Sequence, residues 1–513
     1  MSRLRSVLFS LGLTLVLGLI TLLGQAGASA ADPGVLYVAP GGNCGGVTPC
    51  YATVQAAVDA AGEADEIRVS QGTYAGVSAR AGVTQSVYIS KTVTIRGGYA
   101  TSDWASPNRV ARETTLDAQG LGRVLYVSGE IAPVFEGLRI TGGDATGLAG
   151  HGYNRADAGG GIYVHTASAV VSGCTVIGNG ASTSGEGHGG GVYLWRSSST
   201  LRSNLVQSNS ASIENAGLGG GVSVWNSAAT LEYNIVASNT AVAGAGIAML
   251  YDSDATLTGN TIDGNSNEGG WGGGVLSYAS SPTLAGNVIT GNSAATNRGG
   301  GMQLYAGRGT LLGNRFSSNS ASQGGGLSLE GGTHTLVNNV VVDNQAGRAP
   351  GILVLGASAQ MLHSTVAHNA PGGGVGIYVE GAWWGEFYPA ALAMTNTIIA
   401  GQSTGLRVTE SCTVTALSTL WHGNGTDSLV EGTLISSSDL HGDPAFDSDG
   451  YHLLPWSLAI DRGLDAGTTV DLDGDERPQG VGHDLGADEF LGTVTYRRLY
   501  LPLAVGRQAH GGS

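Results

Sequence analysis

The chain has 513 residues, a formal net charge of -16, 87 glycines and only 12% charged residues, yet 42% of it is hydrophobic. That apolar share excludes a disordered chain, which is poor in apolar residues and rich in charge. The absence of a Gly-X-Y period excludes collagen, and the acidic sign excludes a basic nucleic-acid binder, since an acidic chain repels phosphate.

Arg3 and Arg5 precede an apolar stretch over residues 7–23, and Ala28-Ser29-Ala30 is a small-x-small cleavage site. Residues 1–30 therefore read as a signal peptide for bacterial-type export, with the mature chain starting at Ala31. The stretch falls short of the about 20 apolar residues of a spanning helix. The mature chain is expected to have no membrane span and to be secreted or held at the cell surface. Export places the cysteines in an oxidising compartment. Cys44 and Cys50 flank a short Gly-rich loop and are expected to form a disulfide; no His pair accompanies them to make a zinc site. Val54, Ala57, Val58 and Ala61 follow at i, i+3, i+4, i+7, the spacing of an amphipathic helix. It is placed to cap a hydrophobic core, within an N-terminal cap over residues 31–75.

The middle of the chain repeats. The glycines closing successive Gly-rich turns are Gly161, Gly191, Gly221, Gly246, Gly274, Gly301, Gly326, Gly351 and Gly376, spaced by about 25–30 residues, a period typical of solenoids, propellers and arrays. After each comes an alternating run such as IYVH, VYLW or MQLY, whose first and third residues face one side of a sheet. A second short strand follows, centred on an apolar residue such as Val171, Leu201 or Leu311, and then N-x-apolar-x-x-N, as from Asn204 to Asn209 or Asn287 to Asn292. Three short strands per repeat are too few for a four-stranded propeller blade of ~40–45 residues. They fit one coil of a three-sided parallel β-helix, with regular coils over residues 159–400. Stacked amides can bond to one another and to backbone, so the asparagines read as ladders rather than catalytic groups. The glycine triplets read as tight turns needing positive φ, since no helix follows them to make a phosphate loop.

These coils resemble the right-handed parallel β-helix proteins of the pectin-lyase-like superfamily over about residues 35–440. The opening LYVAPGGN, YATVQAAVDAA and DEIRVSQGTY is similar to the N-terminal part of that family. The resemblance implies an all-β, right-handed, three-sided parallel β-helix with an N-terminal capping helix. It also implies an extracellular glycan as partner, since the superfamily's enzymes are mostly polysaccharide lyases and glycosidases.

Residues 441–492 break the pattern, with D-P-A-F-D-S-D-G-Y-H and D-L-D-G-D-E-R-P. This stretch resembles the C-terminal module of bacterial surface proteins that precedes an anchoring signal. Residues 493–513 form a tail without an LPxTG motif. Asp471, Asp473 and Asp475 alternate around a Gly turn and are candidate calcium ligands, completed by Asp484 or Asp488. The alternative is a solvated acidic turn pairing with Arg477.

Acids are sparse in the coils. Glu330 and Glu380 share a column two coils apart, the one arrangement suited to an inverting acid pair. Outward positions carry aromatics instead: the fourth-position column holds His165, Trp195, Trp225, Tyr278 and Tyr305, and the second-position column begins with Tyr163 and Tyr193. Rings on an outer face fit a glycan platform. They also fit cover by a long loop or by the C-terminal module, or stacking of Trp195 on Trp225 across adjacent coils. The leading reading is a secreted or cell-surface β-helix with an adhesive, scaffold or glycan-binding role; the alternative is a polysaccharide lyase or glycoside hydrolase.

Overall fold

In the computed structural model, residues 34–150, 155–212, 216–369 and 374–492 are described. The expected signal peptide and the tail lie outside them. Among the described residues no helix is long and apolar enough to cross a membrane.

The chain is a right-handed parallel β-helix. Its first sheet has 14 strands, from Ser78–Arg80 and Val83–Ile89 at one end to Thr426–Val430 at the other. Within this sheet the parallel strands of successive coils pair in register, as in Ile162↔Val192 and Val222↔Ile247. The other two faces are built from strand pairs such as Val170–Ser172 and Thr175–Ile177. They merge into one 28-stranded sheet where Ala391–Ala400 and Thr413–His422 run through both faces unbroken. A short additional row of five strands, from Thr240–Ala241 to Gln345–Arg348, lines the turn that returns to the first sheet.

Alternation places Ile162, Val164, Val171 and Val176 of one coil inside, all buried, and the same four positions recur along the rod. At ~1.5–3 kcal/mol per buried side chain, these stacks stabilise the coils only collectively. Two amide columns bind the coils at their corners. Asn209 donates its backbone N–H (2.9 Å) and Nδ2 (3.0 Å) to Asn239 Oδ1, and Nδ2 also reaches Val176 O at 3.0 Å. The same three bonds recur from Asn179 to Asn369 in one column and from Asn204 to Asn339 in the other. Every rung is buried.

The glycine triplets divide their work. The first glycine, for example Gly219 with φ 70°, takes the left-handed conformation. The third does not: at Gly191 a Cβ would sit 2.6 Å from Gly221 O and 3.0 Å from the Asn209 amide. Close approach of neighbouring coils, rather than positive φ, demands glycine there.

The helix Val54–Ala60 buries Val54, Ala57 and Val58 against the first coils, and the Thr53 hydroxyl caps it by accepting from Ala56 N–H at 3.2 Å. Cys44 and Cys50 form the expected disulfide, with Cα atoms 5.9 Å apart; Cys174 and Cys412 are buried free thiols.

The C-terminal module folds back along the rod. Its Tyr451, Leu453, Ile460, Leu485 and Ala487 pack on Val340, Val342, Ile398 and Leu420, the outward apolar side of the third face. Asn396 seals the junction, accepting from Leu464 N–H at 2.8 Å and donating to Leu464 O at 2.7 Å. The module thus sits on a face other than the one bearing the aromatic columns, and cover of those rings by the module does not occur.

Candidate functional site

On a parallel β-helix, equivalent side chains of adjacent coils stand ~4.8 Å apart, close to the thickness of a π-stack. The aromatic columns obey that spacing. Tyr88, Tyr126, Tyr163 and Tyr193 form a continuous stack, with centroids 4.8–5.6 Å apart and planes within 20° of parallel. Tyr163 and Tyr193 are buried, and burial raises both phenol pKa values. The buried Arg123 guanidinium lies over Tyr126 and Tyr163 at 5.7 and 5.0 Å and donates from Nε to Ala158 O.

The fourth-position column is half-buried. His165 stacks on Trp195 at 4.2 Å, and Tyr278 on Tyr305 at 4.9 Å with only 2° between planes. Trp225 packs against His188 and Tyr251 at 5.4 and 5.0 Å. Stacking along the rod spends ring faces on neighbouring rings. Tyr305 has Tyr278 stacked on it and Trp271 parallel to it at 5.9 Å. The residues that the sequence proposes as a platform are brought together, with Tyr163–Tyr193, His165–Trp195 and Tyr278–Tyr305 stacked face to face and Trp225 in tilted contacts.

Open ring faces lie one step further along. The strands Ala382–Trp383 and Phe387–Tyr388 form an antiparallel hairpin inserted within one coil, between its first-sheet strand and the strand that continues onto the other faces. Trp383 is 75% exposed, and Trp384, Phe387 and Tyr388 are each exposed by more than a third. Trp383 meets Phe387, and Trp384 meets Tyr388, both at 5.3 Å. Trp384 also reaches back edge-on to Tyr305, at 6.3 Å. It crosses the turns at Gly331 and Gly356; a Cβ at Gly356 would meet its indole at 3.0 Å. The sequence signal for this site was four aromatics in the six positions 383–388, inside an insertion that interrupts the repeat.

Beside the hairpin and Tyr305 runs a strip of ion pairs. Glu330 is buried and receives Arg298 on both oxygens at 2.9 Å and Gln303 Nε2 at 3.0 Å. Glu380 pairs with Arg348 at 2.6 Å, whose guanidinium lies 4.4 Å over Tyr378. Each carboxylate of the sequence-level acid pair is thus held by its own arginine.

The aspartates proposed for calcium do not converge. Asp471 is buried and accepts from Asp473 N–H, Asp475 N–H and Glu489 N–H at 2.9, 2.9 and 3.0 Å. It shapes the turn. Asp484 likewise accepts from Asp461 and Phe490 N–H groups, and burial raises its pKa to about 7. Arg477 pairs with Glu489 at 2.8 Å, fully buried, rather than with the three aspartates. The side chains that do meet are His452, Asp473 and Asp488, with one donor atom of each within 4.8 Å of the others. His452 was not singled out from sequence; its signal was a second D-x-D-G turn, 447–450, two residues ahead of it.

Residues 190–370 match the family model described as "Right handed beta helix region", the stretch where the ladders are most regular. No curated protein is significantly similar to the chain. Among solved structures, the chain is similar to the A-module of a mannuronan C-5 epimerase from Azotobacter vinelandii, with 13% identity, 76% of this chain and 94% of that one covered, and a TM-score of 0.42. It is also similar to a periplasmic alginate epimerase (10%, 74% and 85%, TM-score 0.39). A third is the catalytic unit of an α-1,3-glucanase from Streptomyces thermodiastaticus (12%, 76% and 65%, TM-score 0.38).

Proposed function

We propose that this is an exported β-helix protein that binds a glycan, in an adhesive or scaffolding role, through the aromatic hairpin 382–388 and the adjoining rim of the first sheet. The observation that carries the reading is the open face of Trp383 in a cluster of four aromatics beside a row of hydrogen-bonding groups. Flat rings pack on the apolar faces of sugar rings, while nearby polar groups fix orientation. Export is supported by the small-x-small motif at Ala28-Ser29-Ala30 and by the Cys44–Cys50 disulfide, a bond that persists in oxidising compartments.

The lyase or hydrolase alternative needs a carboxylate or base free to exchange a proton with substrate. Glu330 and Glu380 are engaged by Arg298 and Arg348, which favours binding over turnover. The test is retention of the mature chain on a panel of insoluble polysaccharides, with reducing ends and unsaturated products assayed in parallel. Retention without products, abolished in Trp383→Ala/Trp384→Ala with the circular dichroism unchanged, is the expected result. Product release would replace this reading with the enzymatic one, and retention by the double variant would remove the hairpin from it.

A further inference from the structure

The C-terminal module contains two D-x-D-G turns, Asp447 to Gly450 and Asp471 to Gly474, each with its glycine at positive φ (84° and 92°). The second aspartate of each turn faces the same imidazole. Asp449 bonds to His452 Nδ1, and Asp473 lies 2.7 Å from His452 Nε2. Asp488 also comes near, with Oδ1 3.9 Å from Nε2. Asp488 is 7% exposed; its Oδ2 accepts from Leu453 N–H at 2.7 Å, while Oδ1 accepts no hydrogen bond among the described residues. The largely buried Asp488 thus brings a carboxylate oxygen to within 3.9 Å of an imidazole nitrogen whose ring already bonds to a second carboxylate.

We infer that His452 Nε2, Asp473 and Asp488 form a binding site for a divalent transition ion of the zinc class, which ties the two D-x-D-G turns together. Three features select this chemistry. One imidazole nitrogen with two carboxylates is a zinc or manganese donor set, whereas calcium takes oxygen ligands. A carboxylate on the far ring nitrogen, here Asp449, is the usual partner of a metal-bound histidine because it sets the tautomer and leaves the other nitrogen's lone pair for the metal. Asp473 and His452 are partly exposed, which leaves a side open for entry and for a water ligand. On binding, the ion takes the lone pair of Nε2, and any proton held there is released.

The experiment uses the untagged mature chain, stripped with EDTA, and titrates ZnCl2, MnCl2 and CaCl2 separately by calorimetry at pH 7.5. One zinc per chain is expected, with calcium weaker. Asp449→Asn should weaken zinc about 10–100-fold. His452→Gln and Asp488→Asn should abolish it, and Asp475→Asn should leave it intact. X-ray absorption of the zinc form should show a nitrogen ligand at about 2.0–2.1 Å, lost in His452→Gln. If His452→Gln or Asp488→Asn does not fold, Asp473→Asn, at a more exposed position, takes its place. The inference is overturned by no saturable zinc binding, by binding that survives His452→Gln, or by calcium binding that depends on Asp475.

Discussion

The regular coils and the C-terminal module solve the same problem, satisfying buried backbone polar groups, with opposite chemistry. The coils use neutral amides: each asparagine rung accepts from the rung before it and donates to the rung after it. The module, poor in strands, uses carboxylates. Asp471, Asp484, Asp488 and Glu489 are all buried and all accept backbone N–H groups, with Arg477 as the buried counter-charge. Amides do not titrate and can be repeated without accumulating charge, so they suit a rod of many coils. Carboxylates are stronger acceptors but repel one another, so they suit a single irregular fold closed by one arginine. The regions should therefore differ in how they fail.

The largest effect is expected at Arg477. Replacing it with Met leaves the Glu489 carboxylate buried without its partner, at a cost of about 3–5 kcal/mol. The module should become protease-sensitive while the β-sheet circular dichroism of the coils persists. Simultaneous loss of both would show that rod and module are one cooperative unit. Asn292→Leu attacks the other region. It strips the acceptor from the backbone and Nδ2 donors of Asn265 and the donor from Ile262 O and Thr290 O, at about 2–4 kcal/mol. Thermal melts should show the coil transition lowered and the module's proteolysis unchanged.

The junction of the two regions should respond to acid. His363 is buried there, donating from Nδ1 to Asp484 O and accepting at Nε2 from the Asn396 amide. Burial, with Arg477 and His483 nearby, lowers its pKa to about 3. Its folded pKa lies below the unfolded value, so its contribution is complete above about pH 6.5 and is lost progressively as pH falls toward 3. Asp484 and Asp488, raised by burial to about 7 and 6, work in the opposite direction: their contributions grow as pH falls. The histidine term is isolated by the difference between the wild type and His363→Gln, which should shrink by on the order of 2–3 kcal/mol between pH 7 and 4.5. A constant difference across that range would show that His363 is not held neutral. The smallest effect is expected at the N-terminal cap. Replacing Cys44 and Cys50 with Ala should cost about 2 kcal/mol, the closure entropy of a short loop, seen as a lower coil transition with the module untouched.

Much of the rod was legible in the sequence because its constraints are local and repeated. Alternation assigns Val164 inward and His165 outward on any parallel sheet, and the 25–30-residue period alone stacks Asn209 on Asn239. The Cys44–Cys50 bond follows from proximity along the chain. What period and parity cannot specify is the direction a ring faces, or which distant segments meet. Tyr278 and Tyr305 were correctly placed on one outer column, but the coil rise turned their faces onto each other. The open rings belong to a hairpin with no repeat to announce its geometry. In the module, the D-x-D-G-D spacing suggested three converging carboxylates, yet Asp471 turned inward because the backbone amides of its own turn and of Glu489 outcompete solvent for it. His452, whose ring is bracketed by two turns more than twenty residues apart, was placed by tertiary packing alone: repeats encode their own neighbours, whereas an irregular module acquires its contacts only when the chain folds back on the rod.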